Sequence, residues 1–243
     1  MKKAELLRKP HKILQLLALL LLTALWSAAT ALMLWHPRAH RLVHRHIARP
    51  WARQMLFVSR VRPEISGLDK LDQVSRPMVL VSNHTSLYDV LALLAILPLD
   101  FKFVVKEELM RVPLWGWAMR RAGYMSVQRD DSGDAREIMR RTAERIRGGE
   151  SVLFFPEGTR SLDGRLGQFK RGAFMLASQS GCDVVPLAIS GAAEVLPRGS
   201  LVINPGRAHV AVLDPITDQA LKKNSRRLME EARRRIADSL GQA

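Results

Sequence analysis

The 243-residue chain predicts an α/β fold: a single domain with a mostly buried mixed sheet flanked by helices, preceded by an N-terminal helical membrane anchor. Three observations carry that expectation. From residue 61 onward, short runs rich in Val, Ile, Leu and Phe alternate with stretches of helical length, the pattern of strands covered by helices. Residues 13–34 hold no charged side chain, and those 22 residues would make a helix of about 33 Å against a hydrocarbon core of about 30 Å. A 47% hydrophobic content is enough to bury one substantial core. The expected division is an anchor and amphipathic helix in 1–60 and a globular domain in 61–243.

The net charge of +15 is unevenly spread. Residues 1–60 hold eleven Lys and Arg against one acid, Glu5, and so carry +10 of it. The excess base flanks the apolar run, so a membrane lipid surface is the expected partner and nucleic acid is not. A cleavable signal peptide is the rival reading, because "SAATA" offers small residues, but the apolar run continues past them. Trp35 stands at the interfacial level and Trp26 too deep for it. Basic residues on both sides of the run leave its orientation unread. Residues 41–60 place Leu42, Val43, Ile47, Trp51, Met55 and Val58 on one helical stripe, with Arg41, Arg45, Arg49 and Arg53 elsewhere. That suits a membrane surface, packing on the protein's own core being the alternative, and Pro50 predicts a kink or break.

The elements expected after that are strands around 64–65 and over 78–82, 101–105, 124–127, 152–155, 184–189, 201–203 and 209–213. Helices are expected over 90–97, 114–121, 134–147, 172–179 and 217–240, the last opened by Thr217 or Asp218 as N-cap. In such a sheet, function sits at loops beyond the strand ends. The single cysteine, Cys182, excludes an internal disulfide and a multi-cysteine metal site, and reads as a small buried residue rather than a nucleophile.

Two polar steps interrupt core-like runs. In "VLVSNHTSLYDVLALL" (79–94), His84 and Asp89 lie on a strand-to-helix turn that can fold the carboxylate back onto imidazole Nδ1, leaving Nε2 to take a proton from a hydroxyl. The same residues, with Asn83, Thr85 and Ser86, also read as turn and capping groups, and the segment alone leaves both readings open. His209 and Asp214 in "HVAVLD" share the spacing, but along a strand they point to opposite faces and should not meet. In "SVLFFPEGTRS" (151–161) a buried strand ends in a sharp turn where Gly158 lets backbone approach a ligand and Arg160 offers a fork for phosphate or carboxylate; a surface pairing of Glu157 with Arg160 is the plainer alternative. Residues 106–130 add Lys106, Arg120, Arg121 and Arg129, which would line an anionic site or simply face solvent. Neither a serine-hydrolase elbow nor a nucleotide-binding glycine loop is present.

In order, "NHTSLYD" (83–89), "KEELMRVPLWGWAMRRAGYMSVQR" (106–129), "FPEGTRS" (155–161) and "VVPLAISG" (184–191) resemble the four blocks of the glycerolipid acyltransferase family, specifically the 1-acylglycerol-3-phosphate acyltransferases. The resemblance implies His84 as general base and Asp89 as its orienting carboxylate. It implies substrate-binding roles for Asn83, Lys106, Gly123, Arg129, Glu157, Gly158, Thr159 and Arg160, and an apolar, acyl-chain-associated fourth block around Pro186. It implies acyl transfer from acyl-CoA or an acyl-carrier protein to the sn-2 hydroxyl of 1-acylglycerol 3-phosphate, with neither metal nor cofactor. The expected location is an inner or plasma membrane with the catalytic domain on the cytoplasmic side. "YMSVQR" departs from the family's more apolar and acidic pattern, which keeps another lysolipid acceptor as the alternative; a non-catalytic protein that binds anionic lipid is a further one.

Overall fold

A computed structural model describes residues 10–36, 39–40, 42–127 and 132–242. Among these residues, seven strands form one mixed sheet in the order β1-β7-β6-β2-β5-β3-β4. They are β1 (Val61–Ser66), β2 (Val79–Ser82), β3 (Phe101–Lys106), β4 (Met125–Val127), β5 (Ser151–Phe154), β6 (Val184–Ser190) and β7 (Gly206–Val212). Strands β6, β2, β5, β3 and β4 are mutually parallel, while β7 is antiparallel to β6 and parallel to β1. Parallel neighbours need crossover connections, which helices supply. The period-two alternation splits the core between the two faces. Leu80, Val185, Leu187 and Ile189 point to one face, and Val79, Val81, Val184 and Ala188 to the other.

The helices are α1 (Pro10–Met33), α2 (Arg49–Val58), α3 (Leu87–Ile96), α4 (Glu107–Met110), α5 (Trp115–Arg121), α6 (Ser132–Arg147), α7 (Gly172–Ser180), α8 (Ala192–Val195), α9 (Gln219–Lys222) and α10 (Ser225–Ser239). Two expectations fail here. Residues 201–203 are not a strand although Val202 and Ile203 are buried, because β7 already has β1 and β6 on its two edges and leaves no ladder to join. The single helix expected over 217–240 is two, because Asn224 accepts hydrogen bonds from Arg226 N and Arg227 N and so opens α10, while Asp218 caps α9. The histidine and aspartate of "HVAVLD" indeed part company: His209 Nε2 pairs with Ser66 Oγ at 3.2 Å, and Asp214 with Lys70 at 2.8 Å.

Helix α1 lies along the body of the protein rather than standing away from it. Lys12 donates to Ile203 O, Gln15 Nε2 to Val58 O (3.0 Å) and Arg121 Nη2 to Leu34 O (3.4 Å), so both ends are tied down. Between them, Trp51 Nε1 donates to Thr23 Oγ1 (3.3 Å) and Trp26 Nε1 to Gln54 Oε1 (2.9 Å), which gives the deep tryptophan a polar partner on α2. Leu14, Leu17, Leu21, Leu25 and Leu32 follow helical spacing on the opposite side and are exposed. Trp35 (90% exposed) and Phe57 (83%) extend the same uncovered apolar character.

The stripe expected on a membrane belongs mostly to the core. Val43 is buried, and Ile47, Trp51, Met55 and Val58 pack on the cluster that holds Ala52 and Leu56; Leu42 alone of the stripe is exposed. Pro50 breaks nothing: a π-turn, His44–Ala48, precedes it, and the wider turn accommodates the ring as α2 continues. Arg49 donates to Leu97 O (2.6 Å) and Arg53 to Ala95 O (3.1 Å), so two arginines of α2 satisfy orphan carbonyls at the end of α3.

His44 is 1% exposed, packs edge-on against Phe101, and lies 3.5 Å from an Asp100 oxygen without hydrogen-bond geometry. Burial, then the charges of Lys102 and Arg49, push its pKa down to about 3. The folded ring is thus neutral where an unfolded one protonates near 6.5, so its stability contribution is intact above pH 6.5 and declines from there toward pH 3. Between pH 6.5 and 4 the protein should lose on the order of 2–3 kcal/mol through this residue. Chemical denaturation in detergent should show a steeper acid loss for the wild type than for His44→Leu; parallel curves would remove the assignment.

Candidate active site

The chain leaves β2 at Ser82, and Asn83 extends the ladder with its side chain. Its Nδ2 donates to Ile189 O and its Oδ1 accepts from Ile189 N, both at 2.8 Å. That fixes where the backbone exits toward His84. Ser86 has extended dihedrals and N-caps α3, its hydroxyl accepting from Tyr88 N at 3.3 Å. Asp89, at the third position of α3 and fully buried, reaches back to complete a capping box. Its Oδ2 accepts from Ser86 N (2.8 Å), Thr85 N (2.6 Å) and His84 Nδ1 (2.8 Å). The two readings of this segment are one arrangement: the capping carboxylate is also the carboxylate that holds the imidazole.

His84 is pinned from several directions. Its backbone N donates to Glu157 Oε1 (2.8 Å), its carbonyl accepts from Ser161 N (2.8 Å), and Phe155 stacks on the ring at 4.0 Å between centroids. With Nδ1–H directed at Asp89, Nε2 carries the free lone pair; it has no hydrogen bond among the described residues and is not sealed from solvent. An imidazole held this way can accept a proton from a hydroxyl and return it.

The turn after β5 meets His84 because β2 and β5 are parallel and in register, Val81 opposite Phe154. Gly158 takes φ +70°, a left-handed conformation, and a Cβ there would lie 3.1 Å from Lys170 Nζ. Thr159 is exposed and Arg160 half-buried on the same turn. Glu157 sits beneath it with both carboxylate oxygens engaged, Oε1 by His84 N and Oε2 by Gly167 N at 2.9 Å. Burial raises its pKa, and the two N–H donors oppose that rise.

Several residues expected at the substrate have their polar atoms engaged within the protein or lie elsewhere. Asn83 and Glu157 direct their polar atoms to the protein's own backbone, one clamping β6 and the other clamping His84. Gly123 lies two residues before β4, at the end of the sheet away from His84; its φ of +85° and the Arg145 guanidinium 2.9 Å from a Cβ position account for the glycine. Lys106 closes β3 at the His84 end, with its side chain outside the described residues, and Arg129 lies outside them altogether. The stack of Phe155 and the bond from Ser86 Oγ to Leu196 O (2.9 Å) had not been anticipated. For Phe155 the signal was its place directly before "PEGTR"; for Leu196 there was none.

A family model described as Acyltransferase matches residues 62–190, which contain His84, Asp89 and the Glu157–Arg160 turn. The chain belongs to the acyltransferase family. Among curated members it is 38% identical over 204 residues to the chloroplastic 1-acyl-sn-glycerol-3-phosphate acyltransferase of Brassica napus, covering 84% of this chain and 58% of the relative. It is 31% identical to the alpha form of 1-acyl-sn-glycerol-3-phosphate acyltransferase from Ovis aries, covering 82% and 69%. The chain thus spans little more than half the length of the plant relatives it matches. The crystal structure of the 1-acyl-sn-glycerophosphate acyltransferase from Thermotoga maritima superposes with a TM-score of 0.70 over 93% of this chain and 97% of that one. At 22% identity, that likeness speaks for the fold.

The engagement of Asn83 and Glu157 by the protein's own backbone is testable. Asn83→Ala should cost about 1–3 kcal/mol of stability, by leaving buried Ile189 groups unsatisfied, with no selective rise in acceptor KM. Glu157→Gln, whose amide can satisfy one N–H and opposes the other, should lower Tm and kcat together. A selective rise in acceptor KM at unchanged Tm, for either variant, would return that residue to the substrate.

Proposed function

We propose that this acyltransferase moves a fatty acyl group from an acyl thioester to the sn-2 hydroxyl of 1-acylglycerol 3-phosphate, giving phosphatidic acid. The observation that carries the reading is the 2.8 Å bond from His84 Nδ1 to Asp89, which leaves Nε2 open beside the Arg160 turn. His84 Nε2 takes the hydroxyl proton as the oxygen attacks the thioester carbonyl. Asp89 holds the tautomer and stabilises the imidazolium. The tetrahedral intermediate collapses by breaking the C–S bond, and the imidazolium returns its proton to the departing thiolate. A thioester already carries a good leaving group, so no covalent acyl-enzyme is needed. Arg160 holds the acceptor's phosphate, the role that the resemblance also implies for Lys106 and Arg129. Acyl-CoA and acyl-carrier protein both supply the required thioester.

We further propose that residues 1–60 bind the membrane from one side while 61–243 hold the catalytic domain. The support is that α1 is tied at both ends to the body of the protein, with its leucine face outward. A helix held along its length by a polar domain lies in the interface rather than crossing it. A cytoplasmic face of an inner or plasma membrane is where both substrates would be met.

His84→Ala should abolish transfer while membrane association persists, and Asp89→Asn should lower kcat by about 10²–10⁴-fold. Purified protein offered labelled acyl-CoA or acyl-carrier protein with a panel of lysolipids reads acceptor and donor together; full activity of His84→Ala would end the mechanism. For the membrane, cysteines replacing Lys12 and His36 in a Cys182→Ala background should both react with an impermeant maleimide from the same side of sealed vesicles. Labelling from opposite sides would mean that α1 spans.

A further inference from the structure

The segment from Leu196 to Arg198 lies outside all four recognised blocks, yet it touches both halves of the site. Leu196 O accepts from Ser86 Oγ, the N-cap of α3, at 2.9 Å. Two residues on, Arg198 Nη1 donates to Arg160 O at 2.5 Å. One short strap therefore joins the turn that carries His84 to the turn that carries Arg160.

The cations at that second turn lack carboxylate partners among the described residues. Five arginines on the helix surfaces have carboxylate partners, Arg140 and Arg145 around α6, and Arg226, Arg234 and Arg235 on α10, all at 2.5–3.0 Å. Arg160, Lys170 and Arg198 have none among the described residues. The only carboxylate built into the turn, Glu157, lies below it with both oxygens occupied by backbone N–H groups. Arg160 on the turn, Arg198 bonded to its backbone and Lys170 beside Gly158 are cations that a bound anion would pair with.

We infer that Arg198 is a positioning residue for the acceptor's phosphate. Its bond to the Arg160 carbonyl fixes the backbone from which the Arg160 guanidinium projects, and its charge adds to the field that draws a phosphomonoester dianion to the turn. Lys170, above Gly158, completes the set. The inference rests on the proposed function for the identity of the acceptor, and deepens it by assigning a group that none of the motifs contains.

The test uses the full chain in mixed micelles. Arg198→Ala should raise the KM for 1-acylglycerol 3-phosphate about tenfold, the loss of roughly one charge-assisted hydrogen bond, acting on KM far more than on kcat or the donor KM. Arg198→Lys, which keeps the charge, should recover part of that rise. A fall in kcat at unchanged KM, or a lysine variant no better than alanine, would make Arg198 merely structural and overturn the proposal. A rise confined to the donor KM would assign the charge to the donor's phosphates and overturn it as well. Binding of 1-acylglycerol 3-phosphate to His84→Ala protein, with and without Arg198→Ala, separates this from the acyl-transfer reading: residual turnover would count against His84, and unchanged affinity against Arg198.

Discussion

One carboxylate oxygen governs the site. Asp89 Oδ2 collects the imidazole N–H of His84 and the backbone N–H groups of Thr85 and Ser86, all within 2.8 Å. Two of those donors belong to the start of α3 and the third to the His84 ring, so helix initiation and alignment of the proposed base are a single event. Negative charge at a helix N-terminus is favourable, and its burial is compensated by three short hydrogen bonds. The ring cannot turn from its position without leaving a fully buried carboxylate short of a donor.

The sheet brings the second half of the site to that ring. Because β2 and β5 are parallel, their carboxyl ends emerge together, and the pairing continues past the strands with substitutes for the ladder. Glu157 Oε1 takes the His84 N–H, and the His84 carbonyl takes the Ser161 N–H. On the other side, the Asn83 amide performs the same service against β6. His84 thus sits in backbone nearly as well held as a central strand, while its Nε2 is left open.

Much of this was legible in the sequence, for physical reasons that can be named. Buried parallel strands write themselves as apolar runs, and six of the eight expected strands overlap observed ones closely while the run around Glu64 widens to β1. The exception, 201–203, is a buried apolar run without an available sheet edge, something only topology decides. His84 and Asp89 could be paired because a strand-to-helix turn folds back within five residues, whereas His209 and Asp214 could be dismissed by strand geometry. The roles of Asn83 and Glu157 were not legible, because a motif residue looks the same whether it faces a ligand or a neighbouring backbone. Nor was the position of Gly123 legible: its place near a basic block does not show that it lies at the end of the sheet away from His84. The stripe of α2 had the amphipathicity of a membrane helix, but a core and a bilayer select the same pattern.

Helix α2 has a neighbour on each side and is hydrogen-bonded to both. Through Trp51 and Gln54 it holds α1, and through Arg49 and Arg53 it holds the tail of α3, whose first turn contains Asp89; Ser59, just past its end, pairs with the Tyr88 hydroxyl. The vertical offset between the outward leucines and the imidazole is consequently a built-in dimension, like the arm of a depth gauge. On the proposed seating of those leucines in one leaflet, an acceptor would be judged by geometry along the membrane normal, by how far its free hydroxyl lies below its headgroup, before any affinity for that headgroup comes into play.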